Sequence, residues 1–218
     1  MPHFTVDQLL ALLALALAVV GLVLRWQRTQ RRPLVVDRSP AKGSPRAGML
    51  YAFTLGMAPW AKESTRKHML SYLRGVAFHV GIFVGLAALA VSPWWSLLPA
   101  YLRWLLAAVI GFGAVLGLIG EISRWVERNL RAISTPDDHF SVVIVSLFLA
   151  MTCAALLTPV WMTAMYLVAT IMLIYIPLGK IRHCIYFFFS RRFFGLLVGR
   201  RGVMHRASTA AGSAVREG

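Results

Sequence analysis

Residues 75–91 read GVAFHVGIFVGLAALAV. Apart from His79, nothing in this run ionises. Such a stretch, extended by the lead-in from His68 to Arg74, is long enough to cross an apolar layer ~30 Å thick at ~1.5 Å per residue. Four more runs share its character, at residues 6–24, 97–119, 140–157 and 160–179. The chain has 218 residues, 58% of them hydrophobic, with a mean hydropathy of +0.67. That is too apolar for a soluble domain of this length. The sequence therefore predicts an all-α membrane protein with five transmembrane helices.

The connections set the orientation. Basic residues crowd the segment from Arg25 to Arg74, the link bearing Arg124, Arg128 and Arg131, and the tail from Lys180 to Arg206. The turns Ser92-Pro93-Trp94-Trp95 and Thr158-Pro159 carry no charge. With five spans every basic connection falls on one side, and the positive-inside rule makes that side cytoplasmic. The N-terminus is then outside and the C-terminus in the cytoplasm. Trp94, Trp95, Trp104 and Trp161 fall at the outer boundary, and Trp26, Trp60 and Trp125 at the inner one, as an aromatic belt requires. The net charge of +15 thus reads as contact with anionic lipid rather than nucleic acid.

Four regions follow. Residues 1–24 form the first transmembrane helix, read as a retained anchor because it lacks a basic n-region. Residues 25–74 form a basic cytoplasmic connection, in which Ala47 to Trp60 lies along the membrane interface. Residues 75–183 form a four-helix bundle, read as haem-binding because His79 lies within one of its apolar spans and His183 closes the last. Residues 184–218 form a basic cytoplasmic tail whose last dozen residues, small and polar, are expected to be disordered. Cys153 and Cys184 make no CxxC pair, which argues against a zinc site or a disulfide framework.

A histidine inside an apolar span is costly and points to function. His79 either bonds to a neighbouring helix or ligates haem iron through neutral imidazole. A b-type haem takes two histidines from different helices at one depth. The second span runs outward and the fifth inward, so His79, early in one, and His183, closing the other, both belong to the cytoplasmic half. His68 lies 11 residues before His79 on nearly the same helical face, among Arg66, Lys67 and Arg74, where it is solvated or turned to a propionate. His139 follows Asp137 and Asp138, which suit a helix N-terminus as cap and dipole partners. His3 and His205 lie near the termini. Arg74, Lys180 and Arg182 could meet haem propionates; ordinary snorkelling explains them equally well. Gly113 and Gly117 form a GxxxG suited to close helix packing.

The stretches PWAKESTRKHMLSYLRGVAFHVGIFVG (59–85), STPDD (134–138) and YIPLGKIRH (175–183) resemble the cytochrome b fold of the respiratory nitrate reductase gamma subunit. They resemble more closely its shorter relatives, the membrane cytochrome b subunits of heterodisulfide-reductase-like and sulfite-reductase-linked complexes. The resemblance spans roughly residues 5–200. It implies that His79, with Gly81 in an HxG motif, and His183, after Pro177 and Lys180, hold the haem nearer the cytoplasm. The second ligand pair of the dihaem relative falls at Leu89 and Met165, so one haem b is expected, not two. The resemblance also implies quinone or quinol as substrate, and an iron–sulfur partner at the cytoplasmic face of a prokaryotic inner membrane.

Three functions follow in order. The first is a monohaem electron-transfer subunit between a quinone pool and a cytoplasmic iron–sulfur or flavoprotein partner, not an enzyme on its own. The second is a haem-free membrane anchor for a redox complex. The third is a small transporter, disfavoured because no Asp, Glu, Lys or Arg falls mid-membrane in the five runs.

Overall fold

The computed structural model describes residues 5–33, 37–61 and 63–203. His3, Lys62, His205, Arg206 and the tail expected to be disordered lie outside the described residues. Every regular element among those described is helical. The α-helices are α1 (Val6–Gln30), α2 (Pro45–Phe53), α3 (Glu63–Lys67), α4 (Met69–Ala90), α5 (Ala100–Val126), α6 (Arg128–Ile133), α7 (Pro136–Leu157), α8 (Met162–Tyr175) and α9 (His183–Arg200).

Local chemistry places the ends. Pro45 begins α2 behind Ser44, whose hydroxyl accepts from the amide of Ala47. Pro99 precedes α5 and Pro136 opens α7, where a missing amide hydrogen costs nothing. At the start of α7 the carboxylate of Asp138 accepts from both the amide and the hydroxyl of Thr135, at 2.8 Å each. Asp138 thus serves the helix N-terminus as the sequence suggests, with Thr135 as the cap.

α1, α4, α5 and α7 are each long and apolar enough to cross a membrane. A fifth crossing requires Pro159–Tyr175 and Lys180–Arg200 to act as one broken span. α8 alone has 14 residues, or roughly 21 Å of rise, short of a bilayer core. The chain is therefore a multi-pass helical membrane protein with four to five candidate spans.

The chain forms two compact units. In the first (residues 5–25 and 70–182 of those described) the exposed surface is apolar and the contacts between helices are small. α1 buries Ala11, Ala14 and Ala18 and exposes Leu10, Leu13 and Leu17. α4 buries Gly81, Gly85 and Ala88 and exposes Val80 and Phe83. Large side chains toward lipid and small ones between helices is the pattern membrane packing favours, since lipid is as apolar as leucine. Gly81 and Gly113 meet so closely that a Cβ on either would lie 2.9 Å from the other's Cα. α7 buries more residues than any other helix, with Phe148 and Leu149 fully enclosed. Trp95, expected in the aromatic belt, instead turns inward and donates to the Ala88 carbonyl at 3.0 Å.

The second unit comprises residues 26–69 and 183–218 as far as they are described. Here α2 lies against α9 along a seam of Gly48, Gly195 and Gly199, where the two backbones touch. Aromatic rings flank the seam: Trp26 sits 4.3 Å from Phe189, and Phe53 stacks on Phe188 at 6.4 Å. The chain before α2 is pinned down as well. Lys42 and Gly43 donate to the Arg200 carbonyl, and Arg201 pairs with Asp37 at 3.1 Å.

Candidate functional site

His79 sits on α4, exposed, with Nδ1 2.7 Å from the carbonyl of Gly75 one turn earlier. A carbonyl only accepts, so Nδ1 carries the proton and Nε2 holds the lone pair. A histidine that ligates metal is commonly held this way, its second nitrogen donating to a carbonyl that fixes tautomer and ring orientation. The donor chemistry at His79 therefore fits an axial haem ligand. His183 is the first residue of α9, exposed, and belongs to the other unit.

The basic residues offered to the propionates differ among themselves. Arg74 is half-buried and donates from Nη1 to the hydroxyl of Ser123 at 2.9 Å, which holds it against α5. Lys180 is paired with Asp138 at 2.5 Å, so a propionate there competes with a resident carboxylate. Arg182 donates to the carbonyl of Leu178 at 2.8 Å. His68 lies exposed in the turn between α3 and α4, in the second unit.

At the far end of α4 the structure is apolar. Met165 is fully buried core, and Leu89 lines a cavity of about 390 Å³ between α1, α4 and α8. Neutral side chains close one edge of this cavity. Ser92 donates to the Leu89 carbonyl at 2.6 Å, which commits its only hydroxyl hydrogen. Tyr166 must then be the donor in its 2.7 Å contact with Ser92, and Gln8 donates to Tyr166 at 3.1 Å.

No protein family, characterised protein or solved structure matches this chain.

One cluster lies outside the sequence reading. Glu121 is buried in α5; its Oε1 accepts from Trp125 Nε1 at 2.7 Å and lies 2.5 Å from His139 Nδ1. The His139 ring packs on Trp125 with centroids 4.6 Å apart. Ending the third span at Ile119 leaves Glu121 in a connection, whereas α5 continues to Val126. The only signal in the sequence was an acid directly after an apolar run, four residues before a tryptophan. Among the described residues no group of three or more His, Cys, Asp or Glu could hold a metal ion, and Cys153 and Cys184 are both free thiols.

Proposed function

We propose that this chain is a membrane cytochrome b subunit that passes electrons between a quinone pool and a cytoplasmic iron–sulfur or flavoprotein partner. One b-type haem is held by His79 and His183, with the N-terminus outside a prokaryotic inner membrane and the C-terminus in the cytoplasm. The observation that carries the reading is His79: an imidazole within an apolar span, its Nδ1 proton given to the Gly75 carbonyl and its Nε2 therefore the basic nitrogen. The order of motifs from residue 59 to residue 183 supports the same reading.

The haem, when bound, supplies the one-electron carrier. The chain's own part is to hold and tune it. Gly75 orients the His79 ring, and Arg74, Lys180, Arg182 and His68 are the groups proposed to meet the propionates. Leu89 and Met165 offer no imidazole for a second haem.

The test is a reduced-minus-oxidised spectrum of the purified chain. One haem per chain is expected. His79→Ala and His183→Ala each abolish the band, while His68→Ala and His139→Ala retain it. A chain that purifies folded and without haem is an anchor only, and two haems per chain would refute the assignment of Leu89 and Met165.

A further inference from the structure

The side chain of Glu121 is only 10% exposed, and its two oxygens are treated differently. Oε1 receives both available donors, Trp125 Nε1 and His139 Nδ1. Oε2 is buried with no hydrogen-bond partner among the described residues. No Lys or Arg among the described residues forms an ion pair with it. Glu127, Arg128 and Arg131, at the α5–α6 junction, form no ion pair with it, and several other charged groups on the surrounding elements are engaged elsewhere. Arg74 of α4 donates to Ser123, Arg124 of α5 donates to Ser134, and Asp138 of α7 holds Lys180. Asp137 accepts from the Lys180 amide at 3.4 Å. Among the described residues Trp125 and His139 are bonded to Glu121, and of the two His139 can exchange a proton with it.

His139 is well placed for that exchange. Its ring is pinned by Glu121 on one side and by the indole of Trp125 on its face. Its side chain is 20% exposed, and Nε2 makes no hydrogen bond among the described residues. One nitrogen of the imidazole therefore meets the interior acid, and the ring itself reaches the surface.

We infer that Glu121 and His139 form a proton-exchange site at the α5–α7 end of the first unit. A proton arriving from water binds His139 Nε2, and the Nδ1 proton passes to the Glu121 carboxylate. The products are a neutral carboxylic acid and a neutral imidazole of the opposite tautomer. One proton is taken up, one N–H bond forms, one N–H bond breaks and one O–H bond forms; the reverse releases the proton. The bare Oε2 gives the transfer its purpose. A charge held on a buried oxygen without a donor is costly, and protonating the acid removes it. Under the proposed function this end faces the cytoplasm, and the site supplies the proton that balances an electron entering the bundle. That last clause rests on the cytochrome reading; the proton exchange does not.

The experiment is infrared difference spectroscopy, acid minus base, on the full chain in lipid nanodiscs, in H2O and in D2O. A carboxylic C=O band that shifts on deuteration is expected, together with imidazole bands that change in step. Glu121→Gln, nearly isosteric, removes the Glu121 component of the carboxylic region and leaves that of the other acids. His139→Asn keeps Glu121 but slows its exchange with solvent by roughly 10²-fold, the lower range for a positioned proton carrier. Trp125→Phe retains both groups and must keep the band, shifted in frequency. The inference is overturned if the Glu121→Gln spectrum equals that of the unmodified chain, or if His139→Asn exchanges at the unmodified rate. Circular dichroism of each variant separates these results from misfolding, since His139→Asn and Trp125→Phe both keep Glu121 and must both carry the band. The same samples report haem in the visible range. A Glu121 band without haem removes the cytochrome reading and leaves the proton site; haem without the band does the reverse.

Discussion

The two ends of the first unit are built from different chemistry. At the α5–α7 end, Arg74, Glu121, Arg124, Asp138, His139 and Lys180 are drawn into pairs, each with a named oxygen or nitrogen. At the opposite end the contacts are mostly neutral: Gln8, Tyr166 and Ser92 form a directed chain of hydrogen bonds beside an apolar cavity of about 390 Å³. Two charged side chains occur there as well: Asp7, which accepts from Thr163 at 2.9 Å, and Arg103. One end is therefore suited to charge and protons, the other to an apolar occupant or to none. The same helices carry both, so the difference lies in a few side chains rather than in the fold.

The largest effect is expected from breaking what the two ends share. In Gly81→Leu the new Cβ starts 2.9 Å from the Gly113 Cα, a backbone atom that cannot swing aside. Overpacking of this kind typically costs about 1–3 kcal/mol and often more where backbone is the obstacle. A fall in Tm and in the yield of monodisperse protein is expected; an unchanged Tm would mean that the α4–α5 contact is not the scaffold. Next comes the neutral end alone. Tyr166→Phe leaves Ser92 and Gln8 without their shared partner, worth about 1–3 kcal/mol for buried groups. Tm should fall while the Glu121 infrared band stays, and a band that moved with it would show the ends to be coupled.

Ser146 provides a smaller effect of opposite sign. Its hydroxyl is buried on α7 with no hydrogen-bond partner among the described residues, so Ser146→Ala removes a desolvated group and leaves little void. Stability should rise, by up to about 1 kcal/mol, and a measured loss would show that Ser146 does have a partner. The smallest effect concerns a charged contact outside the spans. Bonds from the Ser39 hydroxyl and amide, and then from Arg201, hold Asp37 down to about 2 from its usual 3.8. A lowered carboxylate pKa contributes stability that is present above 3.8 and lost as pH falls through about 2. Asp37→Asn should therefore weaken the α9 end at neutral pH, and the difference from the unmodified chain should vanish in strong acid. A difference that persisted there would assign the contact to something other than charge.

The spans were legible because hydropathy is a local property. The runs at 6–24, 75–91, 97–119 and 140–157 each fall largely within one helix, and those helices extend beyond the apolar run at one end or both. The starts of α5 and α7 follow prolines and caps rather than the apolar pattern; α7 starts at Pro136 behind its Thr135 cap, before the apolar run begins. The run at 160–179 was harder to read, because Pro177 and Gly179 follow the last turn of α8 at Tyr175. Gly113 was readable as a packing residue from its spacing, but its partner Gly81 was not. Glu121 was missed for the same physical reason. Its significance rests on burial and on a histidine 18 residues away, and neither is a property of the sequence around it. His139 follows two acids that mark a helix N-terminus, yet nothing local to Pro136-Asp137-Asp138-His139 reveals that its ring turns toward an acid on another helix.

The most direct test of the central claim is the haem content of the purified chain with His79 intact and replaced. One b-type haem per chain, lost in both His79→Ala and His183→Ala and retained in His139→Ala, is the result the account predicts. A folded chain with no haem, or one that keeps its haem after His79→Ala, would contradict it.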